Sequence, residues 1–111
     1  MQTISVKRGD TWTVNFAYTD SEGAPINLLG ASCAMDLRGL YDETVLMSLS
    51  DVSGELTING AIGEIDLLVP YADMEPLGLG TYRADMEVTY PNGVRSSSET
   101  FGVDIVEDIT L

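Results

Sequence analysis

Apart from its five tyrosines, the chain's reactive side chains are eighteen carboxylates, five lysines and arginines and one cysteine, with no histidine. Without histidine, and with Cys33 alone, neither the usual zinc sites nor Ser-His-Asp and Cys-His nucleophile systems can be assembled. A carboxylate pair can still hydrolyse a glycosidic bond. Eighteen acids offer many such pairs, however, and most alternate along apparent strands or fall in turns, the pattern of a solvated face. No phosphate-cradling glycine motif is present. Gly78-Leu79-Gly80 is a bare GxG that precedes a strand instead of opening a helix. The expectation is a protein that is not an enzyme and takes no cofactor and no metal.

The remaining candidates concern recognition. Asp20-Ser21-Glu22-Gly23 has the start of a calcium loop, but Asp20 and Glu22 are its only fitting ligands and Pro25 follows soon after, so a β-turn closed by Gly23 is expected. Trp12 is in phase with Val14 and Phe16, which places it in the core and not on a sugar-stacking surface. Cys33, also at an apolar phase, reads as a small core residue. Tyr41, Tyr71 and Tyr90 fall in loops or near a hairpin tip, where aromatic side chains anchor protein contacts. Arg38, Arg83 and Arg95 are scarce cations with two open readings: local pairing with neighbours such as Asp36 or Asp85, or clamping of carboxylates on a partner. Tyr41, Tyr71, Arg83, Tyr90, Asn92 and Arg95 form the expected contact set.

The chain has 111 residues and a net charge of −13, enough for one domain spanning 1–111. Area scaling predicts roughly 17,000 Å² of surface unfolded and roughly 6,000 Å² folded, so a core forms without staples. So acidic a chain repels phosphate backbones and anionic membrane faces, which predicts no nucleic acid and no membrane among its partners. Apolar runs such as Leu67-Leu68-Val69 are too short to span a bilayer, and the start, Met1 to Val6, lacks the pattern of a signal peptide. The acidity either keeps the protein soluble or complements a basic docking surface; the second reading predicts attachment that weakens as salt rises.

The elements that must position these residues follow a period of two. Trp12 to Tyr18, residues 31–37, 44–49 and 55–58, and Glu64 to Val69 read as strands. The stretch from Pro70 to Leu77, with two prolines, allows one short helical turn and links one sheet to the other. Tyr82, Ala84, Met86, Val88 and Tyr90 alternate with Arg83, Asp85, Glu87 and Thr89. Asn92-Gly93 then predicts a two-residue type I′ hairpin. That turn pairs Tyr82 with Val103, Ala84 with Phe101, Asp85 with Thr100, Glu87 with Ser98, Val88 with Ser97 and Tyr90 with Arg95, and it projects the tip beyond the core. Thr3 to Lys7 is the expected edge strand. Seven or eight short strands with turn signals between them predict an all-β, antiparallel, immunoglobulin-like β-sandwich.

The order of turn and strand signals also resembles a known class. Lys7-Arg8-Gly9-Asp10-Thr11-Trp12 opens it, followed by Asp20 to Leu28, a strand ending in Leu37-Arg38, Gly63 to Leu67, Gly80 to Met86, Asn92-Gly93-Val94 and a last strand into Ile109-Thr110. This succession is similar to small virion proteins of tailed bacteriophages with an immunoglobulin-like fold, and to the N-terminal domain of phage upper-baseplate proteins. The resemblance covers nearly the whole chain, and most of its motifs are turn and core grammar. It implies a virion structural protein made in the host cytoplasm, multicopy or homo-oligomeric. Its partners would be other virion structural proteins of the tail, baseplate or fibre-attachment region, or the capsid it decorates. A carbohydrate-binding adhesion module is the alternative from another class.

Overall fold

The computed structural model describes residues 2–98 and 100–107, which form an all-β sandwich. Among them are nine strands, one or two more than expected: β1 (Thr3–Lys7), β2 (Trp12–Ala17), β3 (Ser32–Gly39), β4 (Val45–Ser50), β5 (Leu56–Asn59), β6 (Glu64–Val69), β7 (Gly80–Thr89), β8 (Arg95–Ser97) and β9 (Phe101–Val106). One sheet has the order β1-β9-β7-β3-β4, with β8 also paired to β7; the other is β2-β6-β5. Strands β9, β7, β3 and β4 correspond to G, F, C and C′ of an immunoglobulin-like sandwich, and β2, β6 and β5 to B, E and D. The first sheet is mixed, because β1 runs parallel to β9. Local alternation carries no information about that pairing, which joins the two ends of the chain.

The core follows the predicted phases. Cys33, Met35 and Leu37 of β3, Ala84, Met86 and Val88 of β7, and Ile65, Leu67 and Val69 of β6 are all buried. Alternating apolar side chains on two facing sheets remove each other from water, and this fixes which face of each strand turns inward. The link after β6 contains the expected short helical turn, α1 (Tyr71–Met74). Its Met74 and the later Leu77 close one end of the core.

The last hairpin holds the expected register in the core and departs from it at the tip. Tyr82 pairs with Val103 and Ala84 with Phe101. Nearer the turn, Glu87 pairs with Ser97, Val88 with Ser96 and Thr89 with Arg95, one residue away from expectation. Tyr90 exchanges backbone bonds with Val94 and Gly93, closing a three-residue loop over Pro91, Asn92 and Gly93. A type I′ turn needs positive φ at both central residues, yet only Gly93 has it, at 87°. Proline fixes Pro91 near −65°, which favours a type I turn followed by a left-handed glycine. The two registers are reconciled between Ser98 and Phe101, where this strand gains one residue on β7. Among the described residues Asp85 has no ladder partner on that side, so the expected pairing with Thr100 does not form. Residues 91–97 are exposed, so the tip does extend beyond the core. Ile109 and Thr110 lie outside the described residues.

Candidate assembly surface

The six expected contact residues do not share one face. Tyr90, Asn92 and Arg95 sit at the hairpin end, beside Ser32 at the start of β3. Tyr41 and Arg83 sit at the other end, where Gly39 pairs with Tyr82. Seven residues of extended chain separate these positions, about 23 Å at the usual strand rise. Tyr71 begins α1, just past Val69, which pairs with Trp12. Tyr41 is almost fully exposed, whereas Tyr90 is half-buried against the core. Asn92 uses its side-chain oxygen within the turn, accepting from the Val94 amide at 3.0 Å. Arg95 is exposed on β8 and makes no ion pair among the described residues.

Arg83 is engaged within the chain. Its guanidinium donates to the carbonyls of Gly39 and Asp42 and to Glu43 at 2.8 Å. Glu43 also receives Arg38 at 3.2 Å, and Arg38 reaches Asp36 at 3.5 Å. Arg38 and Arg83 are cross-strand partners, so two like charges stand side by side. The Glu43 carboxylate, carried on the loop between β3 and β4, joins them and ties that loop down. Local pairing therefore accounts for both arginines, through the expected Asp36 for Arg38 and through Glu43 for both, with no ion pair to Asp85 among the described residues. The neighbouring Asp42 carboxyl is held below its usual range, chiefly by hydrogen bonds from Thr44. Glu43→Gln should destabilise the fold by about 1 kcal/mol, the upper range for exposed pairs, and raise amide exchange in the 40–44 loop. Unchanged exchange there would separate Glu43 from loop order.

Trp12 and Cys33 are core residues, as their phases require. Burial, and then the charge of Asp51, push the Cys33 thiol up to about 11. Burial, followed by Cys33 and Tyr90, pushes Tyr18 up to about 12. Both groups bind protons more tightly folded than unfolded. Their stabilising contribution is therefore complete below the unfolded pKa values and is lost as pH rises toward 11 and 12. Stability measured by urea titration should decline above about pH 9. Iodoacetamide should label Cys33 slowly in native protein and rapidly in urea. Fast native labelling would contradict the thiol's burial.

The Asp20 loop is a turn. Asp20 accepts the amides of Glu22 and Ala24 through one carboxylate oxygen, and Gly23 takes a φ of 84°.

Sequence reasoning placed an edge at Thr3 to Lys7, and β1 does end the first sheet, but it did not find the second edge, at β2. The first sheet ends in β1 and the second in β2, and between them lies a groove of about 290 Å³. Ile4, Val14, Phe16 and Phe101 supply its apolar walls. The rings of Phe16 and Phe101 pack 5.8 Å apart at its floor. Ile4, Val14 and Phe16 point inward yet are only half-buried, because no strand among the described residues covers them. Only the long-range topology exposes this edge; the alternation of β2 looks like that of any half-buried strand. No protein-family model matches this chain, and no curated protein matches it.

Proposed function

We propose that this chain is a non-enzymatic structural protein of a phage virion, an assembly module docked in the tail, baseplate or fibre-attachment region. The observation that carries the docking reading is the pair of bare strand edges flanking an apolar groove, since a sheet edge is a template for another chain. The virion setting rests on the resemblance of the motif order. The exposed hairpin at residues 91–97 offers a second contact remote from the arginine cluster.

Decoration of the capsid would use the same surfaces on a different lattice. Carbohydrate binding is weakened as an alternative by the burial of Trp12, the largest stacking platform in the chain. Mass spectrometry of gradient-purified particles, separated into tails and capsids, tests the proposal. The chain is expected with the tails. Recovery only with capsids would replace docking at the tail with decoration, and absence from both would reject the virion reading.

A further inference from the structure

The four outer strands differ in how they are guarded. Natural sheets discourage stray pairing with bulges, short edges, prolines or lysines. Strand β4 is irregular against β3, with a register shift between Leu37 and Arg38. Strand β5 has only four residues, and β1 ends in Lys7. Strand β2 is six residues long, pairs with β6 without a register shift, and contains neither lysine nor proline.

Its polar groups point the right way for an added strand. The Tyr18 amide donates to the Gly63 carbonyl, so in the β2–β6 ladder the even-numbered residues of β2 direct their amides and carbonyls toward β6. Thr13, Asn15 and Ala17 then direct theirs outward. The side chains of an added strand would alternate between two surroundings. One set would enter the groove beside Ile4, Val14, Phe16 and Phe101. The other would lie on the outer face, next to Asn15. There the Asn15 amide nitrogen donates to Glu64 at 2.9 Å and to one oxygen of Asp66 at 2.7 Å, while Asn59 on β5 donates to the other Asp66 oxygen at 2.8 Å. Neither carboxylate has a lysine or arginine partner among the described residues.

We propose that the β2 edge and its groove take an extended segment of a different protein as an added strand, with apolar residues at alternate positions and lysine or arginine between them. The apolar set matches the groove, and the basic set matches Glu64 and Asp66. A second copy is the poorer occupant: it too carries a net charge of −13, and its own β2 has no basic residue to offer. The proposal deepens the docking function above by naming the surface and the chemistry of its partner.

The test uses the intact protein and an N-acetylated, C-amidated heptapeptide, Lys-Val-Lys-Val-Lys-Val-Lys. Titration followed by NMR should show saturable binding with slowed exchange at the Thr13, Asn15 and Ala17 amides and no change along β4. Replacing the peptide's lysines with glutamates should weaken binding roughly tenfold or more, because attraction becomes repulsion. Ala17→Pro removes only an outward amide; it should abolish binding while leaving the melting temperature within a few degrees. Any of four results would overturn the proposal: no binding at millimolar peptide, equal binding of the glutamate peptide, protection at another edge, or a dimer in sedimentation that Ala17→Pro dissolves. Failure here would leave the particle fractionation result untouched, so the two readings are separately testable.

Discussion

Gly63→Ala is expected to lower stability by about 3 kcal/mol or more, the range of the severe backbone mechanisms. Gly63 follows the 3-10 turn at residues 60–62 and has a φ of 66°, a left-handed conformation that costs a side-chain-bearing residue roughly 1–2 kcal/mol. Space is the larger difficulty. A β-carbon there would meet the Ile26 carbonyl oxygen at 2.5 Å and the Tyr18 carbonyl oxygen at 2.9 Å. Both are backbone atoms held in place, since the Ile26 amide donates to Tyr18 and the Tyr18 amide donates to Gly63. Relief requires prising the end of β2 away from the start of β6, which also disturbs the proposed docking edge. For a chain of this size the melting temperature should fall by roughly 12–20 °C. Gly23→Ala is the control. Gly23 has a similar φ, 84°, with nothing near its missing β-carbon, so only the conformational cost of about 1 kcal/mol applies. Equal losses in the two variants would refute the close-approach account.

Trp12→Ala should cost about 3–5 kcal/mol, because Trp12 is among the chain's largest fully buried side chains and its removal leaves a cavity at the end of β2. Trp12→Phe should be much milder, about 1–2 kcal/mol. The indole Nε1 is buried without a hydrogen-bond partner among the described residues, so phenylalanine removes an unpaired donor while keeping most of the apolar volume. Urea denaturation of both variants checks the pair. A Trp12→Phe loss as large as that of alanine would mean the indole nitrogen makes a bond that stabilises the fold.

Which parts of the molecule were legible in the sequence follows from the range of the interactions. Alternation along β3, β6 and β7 identified the buried faces, because a strand with one face inward must repeat every two residues. The pairing of Tyr82 with Val103 and Ala84 with Phe101 was legible because apolar partners must share the inner face. The tip was misread through its strongest local signal. Asn92-Gly93 favours type I′, but Pro91 and the loop closure from Tyr90 to Val94 select a three-residue turn. Parallel pairing of β1 with β9 joins distant segments and leaves no trace in either one's alternation. The engagement of Arg83 by Glu43 was hidden for a related reason: Glu43 lies in a loop with no period to place it. The expected contact residues were chosen by residue type and apparent exposure, and the topology distributes them over both ends of the sandwich. The open β2 edge is a property of how the sheets end, which no short window of sequence contains.

The proposed virion role is tested by a cryo-EM reconstruction of the whole particle. Density for this sandwich is expected in the tail or baseplate region, with a neighbouring chain lying along the β2 edge and the 91–97 hairpin against another subunit. A particle in which this chain occupies no site would contradict it.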